Sequence, residues 1–179
     1  MKKILYVFLI MVLAVGCNNL SNTPINKTEQ MLKKYQMLDN DVMEDLNKTV
    51  DSETTFSEAQ KTKYKNIMKK HYQNLVYEIK DDTIDGDEAK VNVLITVTDF
   101  KKVLDESEAY LNEHLDEFKD EYGNYIASKY VDYRLEKMSE AKEKVKYTIE
   151  IKLTKVNKEW RVDTLSEETL DKINGVYKY

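Results

Sequence analysis

Between Val145 and Leu153 the chain reads VKYTIEIKL, and apolar and polar side chains alternate without a break. Successive strand residues point to opposite faces of a sheet. Val145, Tyr147, Ile149, Ile151 and Leu153 therefore share one face, and Lys146, Thr148, Glu150 and Lys152 the other. A strand sorted this way belongs to an antiparallel sheet covered on one side only. WRVDTL follows after VNKE, and a two-residue turn at Asn157-Lys158 sets Leu153 opposite Val162, with Trp160 also on the apolar face.

An earlier stretch, NLVYEIKDDTIDGDEAKVNVLITV, repeats the pattern. Leu75, Tyr77 and Ile79 line one strand, and Val91, Val93, Ile95 and Val97 the next, with a turn at Asp85-Gly86. A one-residue slip would flip every side chain to the other face. Two residues in this turn would set Ile79 against Asn92, whereas a three-residue loop, Asp85 to Asp87, pairs Ile79 with Val93 and Tyr77 with Ile95. The three-residue loop is the expectation, with Gly86 left-handed.

The rest reads as helix. Met31, Tyr35, Leu38, Val42 and Leu46 recur at spacings of four and three, the stripe of one amphipathic helix. A second begins near Thr55, with Glu58 completing a capping box, and shows Tyr64, Ile67, Met68 and His71 on its apolar face. Between the hairpins, residues 100–141 are helical by pattern. Leu111, Leu115, Phe118, Tyr122, Ile126, Tyr130 and Tyr133 trace one face, and Gly123-Asn124 breaks or bends the segment. Ser166 caps a last short helix with Glu167 and Glu168 in its first turn. The class is α+β: N-terminal helices on a curved, mainly antiparallel four-stranded sheet, with a helical insert between two hairpins.

The N-terminus has a different composition. Lys2 and Lys3 precede ILYVFLIMVLAV, Ile4 to Val15, the pattern of a secretory signal peptide. The run is shorter than the roughly 20 apolar residues of a membrane span. The chain's one cysteine, Cys17, closes AVGC, which resembles the lipobox of bacterial lipoproteins. That resemblance implies cleavage before Cys17 and its diacylation; two acyl chains hold a protein stably at a membrane where one does not. The expected organisation is residues 1–16 as signal peptide, 17–27 as lipidated cysteine and tether, and 28–179 as a single domain. With Cys17 acylated no thiol remains, which excludes disulfides, thiolate catalysis and cysteine-ligated metals.

Charge narrows the partners. The whole chain carries −5, and loss of Lys2 and Lys3 takes the mature form near −7. An acidic domain is repelled by phosphate backbones, so nucleic acid is not an expected partner.

IDGDEAKVNVLITV (Ile84 to Val97) and VNKEWRVDTL (Val156 to Leu165) are similar to hairpins of small Gram-positive lipoproteins of the cystatin-like, nuclear-transport-factor-2-like superfamily. The resemblance spans most of residues 28–175 and rests on turn and core positions. It implies a sheet wrapped around helices, with room for a pocket, and localisation on the outer face of the cytoplasmic membrane. It implies no reaction, because function resides in sites and not in folds.

The residues supply no catalytic constellation. The inward sheet positions are apolar or aromatic, and the two histidines, His71 and His114, fall on different helices. DDTIDGDE, Asp81 to Glu88, departs from a calcium loop at Thr83 and Asn92. No metal, cofactor or catalytic residue is expected, and the protein reads as not an enzyme. Thirteen tyrosines against four phenylalanines favour contact surface, since tyrosine pairs a rigid ring with a polar tip. The sequence therefore points first to a membrane-anchored surface module that binds a protein or envelope partner through the insert, at Tyr125, Tyr130 and Tyr133. The alternative is a carrier holding a small apolar ligand in a helix–sheet pocket lined by Tyr77, Tyr147 and Trp160.

Overall fold

Each segment that alternates in the sequence is a strand. In the computed structural model, which describes residues 22–178, β1 (Val76–Asp85), β2 (Glu88–Thr98), β3 (Lys144–Val156) and β4 (Glu159–Val162) form one antiparallel sheet in the order β1-β2-β3-β4. The signal peptide, Cys17 and the tether up to residue 21 lie outside the described residues. Val91, Val93, Ile95 and Val97 of β2 and Tyr147, Ile149, Ile151 and Leu153 of β3 are buried on one face. The helices cover that face: α1 (Pro24–Met37), α2 (Asn40–Asp51) and α3 (Glu58–Gln73) from before the sheet, α4 (Phe100–Glu113) and α5 (Ala127–Glu140) from between β2 and β3, and α6 (Glu167–Asn174) after it.

The hairpins show how register is set. At β3–β4 the expected turn is present: Leu153 faces Val162, and Asn157 and Lys158 both take positive φ, 53° and 68°, as the two-residue turn compatible with strand twist requires. At β1–β2 Ile79 faces Val93 and Tyr77 faces Ile95, as expected, but the loop is not the reason. Asp85 pairs with Glu88, so the turn holds only Gly86 (φ 60°) and Asp87. The missing residue is absorbed between Ile79 and Asp81, where the register shifts and Lys80 stands unpaired as a bulge.

The first helical stripe is two helices. Leu38 takes a left-handed φ of 54° and ends α1, and the Asp39 carboxylate accepts from the Asp41 N–H to start α2. The folded domain also begins earlier than expected, inside the segment read as tether. Thr23 caps α1, Pro24 occupies its first turn, Asn22 donates to the Lys158 carbonyl (2.8 Å) and the Trp160 N–H donates to Asn22 Oδ1 (2.9 Å). The capping box of α3 is Ser57 with Gln60, two residues beyond the expected Thr55 and Glu58; Thr55 instead bonds Glu53.

Both sheet edges are protected. β4 pairs only with residues 153–156 of β3, and the edge exposed beyond it is flanked by the C-terminal segment: the Asp163 N–H donates to the Lys152 carbonyl (2.9 Å) and Lys172 Nζ to the Thr148 carbonyl (3.3 Å). The free edge of β1 carries Glu78, Lys80, Asp81 and Asp85 as well as the bulge, features that discourage pairing with another strand.

After α6 the chain turns at Gly175, with φ 71°. A β-carbon there would lie 2.1 Å from the Thr98 carbonyl oxygen. Gly175→Ala is therefore expected to cost roughly 3 kcal/mol or more, combining left-handed strain with overpacking. Gly86→Ala, where the added methyl meets nothing within 4 Å, should cost only about 1 kcal/mol. Urea denaturation of the two variants checks the contrast, and equal losses would refute the close approach.

Candidate functional site

Tyr77, Tyr147 and Trp160 do not form a pocket. Tyr77, Ile95 and Tyr147 lie in one row across the sheet, but Trp160 faces Lys155, eight residues farther along β3, or about 26 Å at strand rise. Tyr147 and Trp160 are buried, with the Tyr177 ring edge-on to Tyr147 at 5.8 Å. The sheet face is filled by α1, through fully buried Leu32, and by α6, through Ile173. The expected helix–sheet pocket is thus replaced by packed core. The nearest apolar cavity, about 220 Å³, opens among the helices instead, between Val50, Phe56, Leu104, Leu135 and Val176, with Arg134 also on its wall.

The insert tyrosines separate into a scaffold and a surface. Phe118 is buried at the end of a short 3-10 turn, Leu115–Phe118. Tyr130 and Tyr133 meet it edge-on, both at 5.7 Å. Tyr110 stacks on Tyr133 at 4.7 Å and on His114 at 4.1 Å, and its hydroxyl donates to Glu117 (2.9 Å). Tyr130 and Tyr133 are thus half-buried supports, because the break expected at Gly123-Asn124 is a loop between residues 119 and 126 that folds back on Phe118. Asp120 holds this loop, its carboxylate accepting from the N–H groups of Tyr122 (2.9 Å) and Asn124 (2.8 Å). What stands out is Tyr122, 82 % exposed, with Tyr125 and Leu115 at 47 % and 43 %. Of the three tyrosines named from sequence, only Tyr125 belongs to this exposed tip. Tyr122 and Leu115 were missed because both had been placed on the apolar stripe; Asp120 ahead of Gly123-Asn124 was the signal for a loop.

A second cavity, of about 300 Å³, lies where α3 and α5 end and α4 and β3 begin. Its walls include Lys63, Asn66, Lys70, Asn74, Ser139 and Lys144, over Ile67, Phe100 and Met138. His71 forms part of the wall and is 3 % exposed. Its Nε2 donates to the Ile173 carbonyl (2.8 Å), which places the proton of the neutral ring there and leaves Nδ1 bare and without a partner. The ring stacks on Phe100 at 4.8 Å. Burial first, with the nearby Lys144 charge adding to it, lowers the pKa of His71 to about 4. Lys144 Nζ donates to Thr98 Oγ1 (3.0 Å). His114, the other histidine, is exposed beside Glu117 on the insert, remote from His71 in the fold. Among the described residues no three or more His, Cys, Asp or Glu side chains gather as a metal site, and no helix is long and apolar enough to cross a membrane.

No known protein family and no curated protein matches the chain. Among solved structures it is similar to the crystal structure of YcdA from Bacillus subtilis, described as a "putative lipoprotein", with a TM-score of 0.45 and 14 % identity. The match covers 92 % of this chain and 51 % of YcdA, so the chain spans about half the length of that protein. The superfamily resemblance accordingly rests on the two hairpins alone.

The depressed His71 pKa has a signed consequence. The unfolded chain binds the proton near pH 6.5 and the folded chain only near 4, so stability is complete above pH 6.5 and falls as the pH drops toward 4. By pH 4.5 the loss from this residue alone should reach roughly 2 kcal/mol. His71→Gln retains an N–H donor and cannot titrate, so its stability should fall less than that of wild type between pH 7 and 4.5. Urea midpoints at both pH values measure this, and identical slopes would show that His71 is not buried neutral.

Proposed function

We propose that this chain is an exported, lipid-anchored binding module that captures a protein or envelope partner through the exposed tip of its helical insert and carries out no catalytic step. The observation that carries the reading is the tip itself: Tyr122 and Tyr125 are exposed on a loop braced by Asp120, and Leu115 is exposed at the start of the 3-10 turn that ends in the Phe118 cluster. A loop whose backbone is already held loses less freedom on binding than a mobile one, and preorganisation of this kind favours affinity. Anchoring is the part of the reading that rests on Cys17 and the leader before it. The absence of a catalytic role is supported by His71, which is sealed and neutral, and by His114, which is stacked on Tyr110.

The test uses the full chain in intact cells, with a photocrosslinking side chain at position 122 and, separately, at Arg161 on the opposite sheet face. One discrete adduct is expected from position 122, lost in Tyr125→Ala or Leu115→Ala, and none from 161. Both substitutions lie at exposed sites and should shift stability by no more than about 0.5 kcal/mol. Equal labelling from both positions, or none from 122, would overturn the tip as a contact surface. In the same cells Cys17→Ser should release the chain from the membrane fraction, and its retention there would refute the lipid anchor.

A further inference from the structure

We propose that the cavity at the C-terminal ends of α3 and α5 binds a phosphate ester with a small organic body. The charge of its walls is the first argument. Lys63, Lys70 and Lys144 line it and no carboxylate does. Four other cavities, of about 220 to 450 Å³, each carry at least one Asp or Glu, as the acidic composition leads one to expect. The acids next to lining residues in sequence are engaged elsewhere: Asp99 caps α4 through the Lys102 N–H, and Glu143 takes Lys102 Nζ at 2.7 Å. Part of the lysine charge answers the two helix C-termini, each worth about half a negative charge. Two such ends offset about one of the three positive charges, and the remainder has no counterpart on the walls.

The chemistry of the donors selects the ligand. The three lysines on the cavity walls come from α3 and β3, and their ammonium groups are compact point charges, suited to the several oxygens of a phosphate dianion. A carboxylate would leave most of that charge unused. Lys144 is held in position by Thr98, and Asn66 adds a neutral donor. Ile67, Phe100 and Met138 offer an apolar surface that inorganic phosphate would not use. The volume, about ten times that of a water molecule in the liquid, is at the small end of the range for ligand pockets. It fits a phosphate carrying a group the size of glycerol. A soluble monoester and the terminal phosphate of phosphatidic acid share that chemistry.

The full chain in neutral detergent should bind glycerol 3-phosphate at one saturable site by calorimetric titration, with inorganic phosphate weaker. Lys63→Gln, Lys70→Gln and Lys144→Gln should each weaken binding about tenfold, the scale of one lost charge-assisted contact. Lys146→Gln, on the outer sheet face, should leave it unchanged. A second arm uses mixed micelles of phosphatidic acid. Binding seen only there, and lost in Lys144→Gln, identifies the headgroup as the source and sustains the site. Should a lysine variant fail to fold, amide shifts of Thr98, Ser139 and Asn66 in the wild-type chain on adding glycerol 3-phosphate decide the matter. Binding that is indifferent to the three lysines, or shifts elsewhere than at this cavity, would overturn the proposal, as would no binding of any of the three probes.

Discussion

Where the chain turns after α6, Gly175 lies so close to the end of β2 that the Thr98 carbonyl oxygen occupies the space a side chain would need. The contact is small, and much of the fold converges on it. The Lys101 N–H at the start of α4 donates to the Gly175 carbonyl (2.8 Å), and His71 near the end of α3 donates to the Ile173 carbonyl two residues earlier. The Tyr72 hydroxyl adds a bond to Asn174 (2.9 Å). The end of α3, the end of β2 and the start of α4 are thereby fixed to the turn that follows α6. A sheet covered on one face needs its helices held at a defined height, and this junction sets the height at one end. Asn22, bonded to the β3–β4 hairpin, does so at the other.

Burial of His71 follows from the same junction. A histidine with one nitrogen bonded to a carbonyl and the other enclosed without a partner is held neutral, because charging it would place an unsolvated cation beside Lys144. His71 serves as a hydrogen-bonded wall against which Phe100 stacks.

The sheet was legible because its code is local and binary: alternation assigned every inward residue from Val91 to Val97 and from Tyr147 to Leu153. The β1–β2 register was right for an incomplete reason, since a bulge at Lys80 has no composition signal and does the work assigned to the turn. The split at Leu38 was hidden because a leucine, without glycine or proline, adopts the left-handed conformation there, and the apolar spacing continues across the break. The site was harder still. Lys63 and Lys70 lie on α3 and Lys144, 74 residues on, begins β3, so only the fold brings them to one cavity. The tip was half legible: the tyrosine excess marked the insert, but which rings support and which protrude depends on the loop folding back over Phe118.

The course of α3 and α5 fixes how the two surfaces relate. At the start of both helices Gln60 bonds the Ser128 carbonyl and Asp132, and at their ends Lys70 and His71 share a cavity with Met138 and Ser139. The aromatic tip immediately precedes α5 and the basic cavity follows it, so one 14-residue helix separates them, about 21 Å at helical rise. A small ligand in the cavity cannot touch a partner on the tip. Any coupling would have to pass along α5, whose buried face, Val131, Leu135 and Met138, is locked into the core. Close-packed interiors resist graded deformation. The two surfaces are therefore best regarded as independent, with the helix between them acting as a rigid spacer.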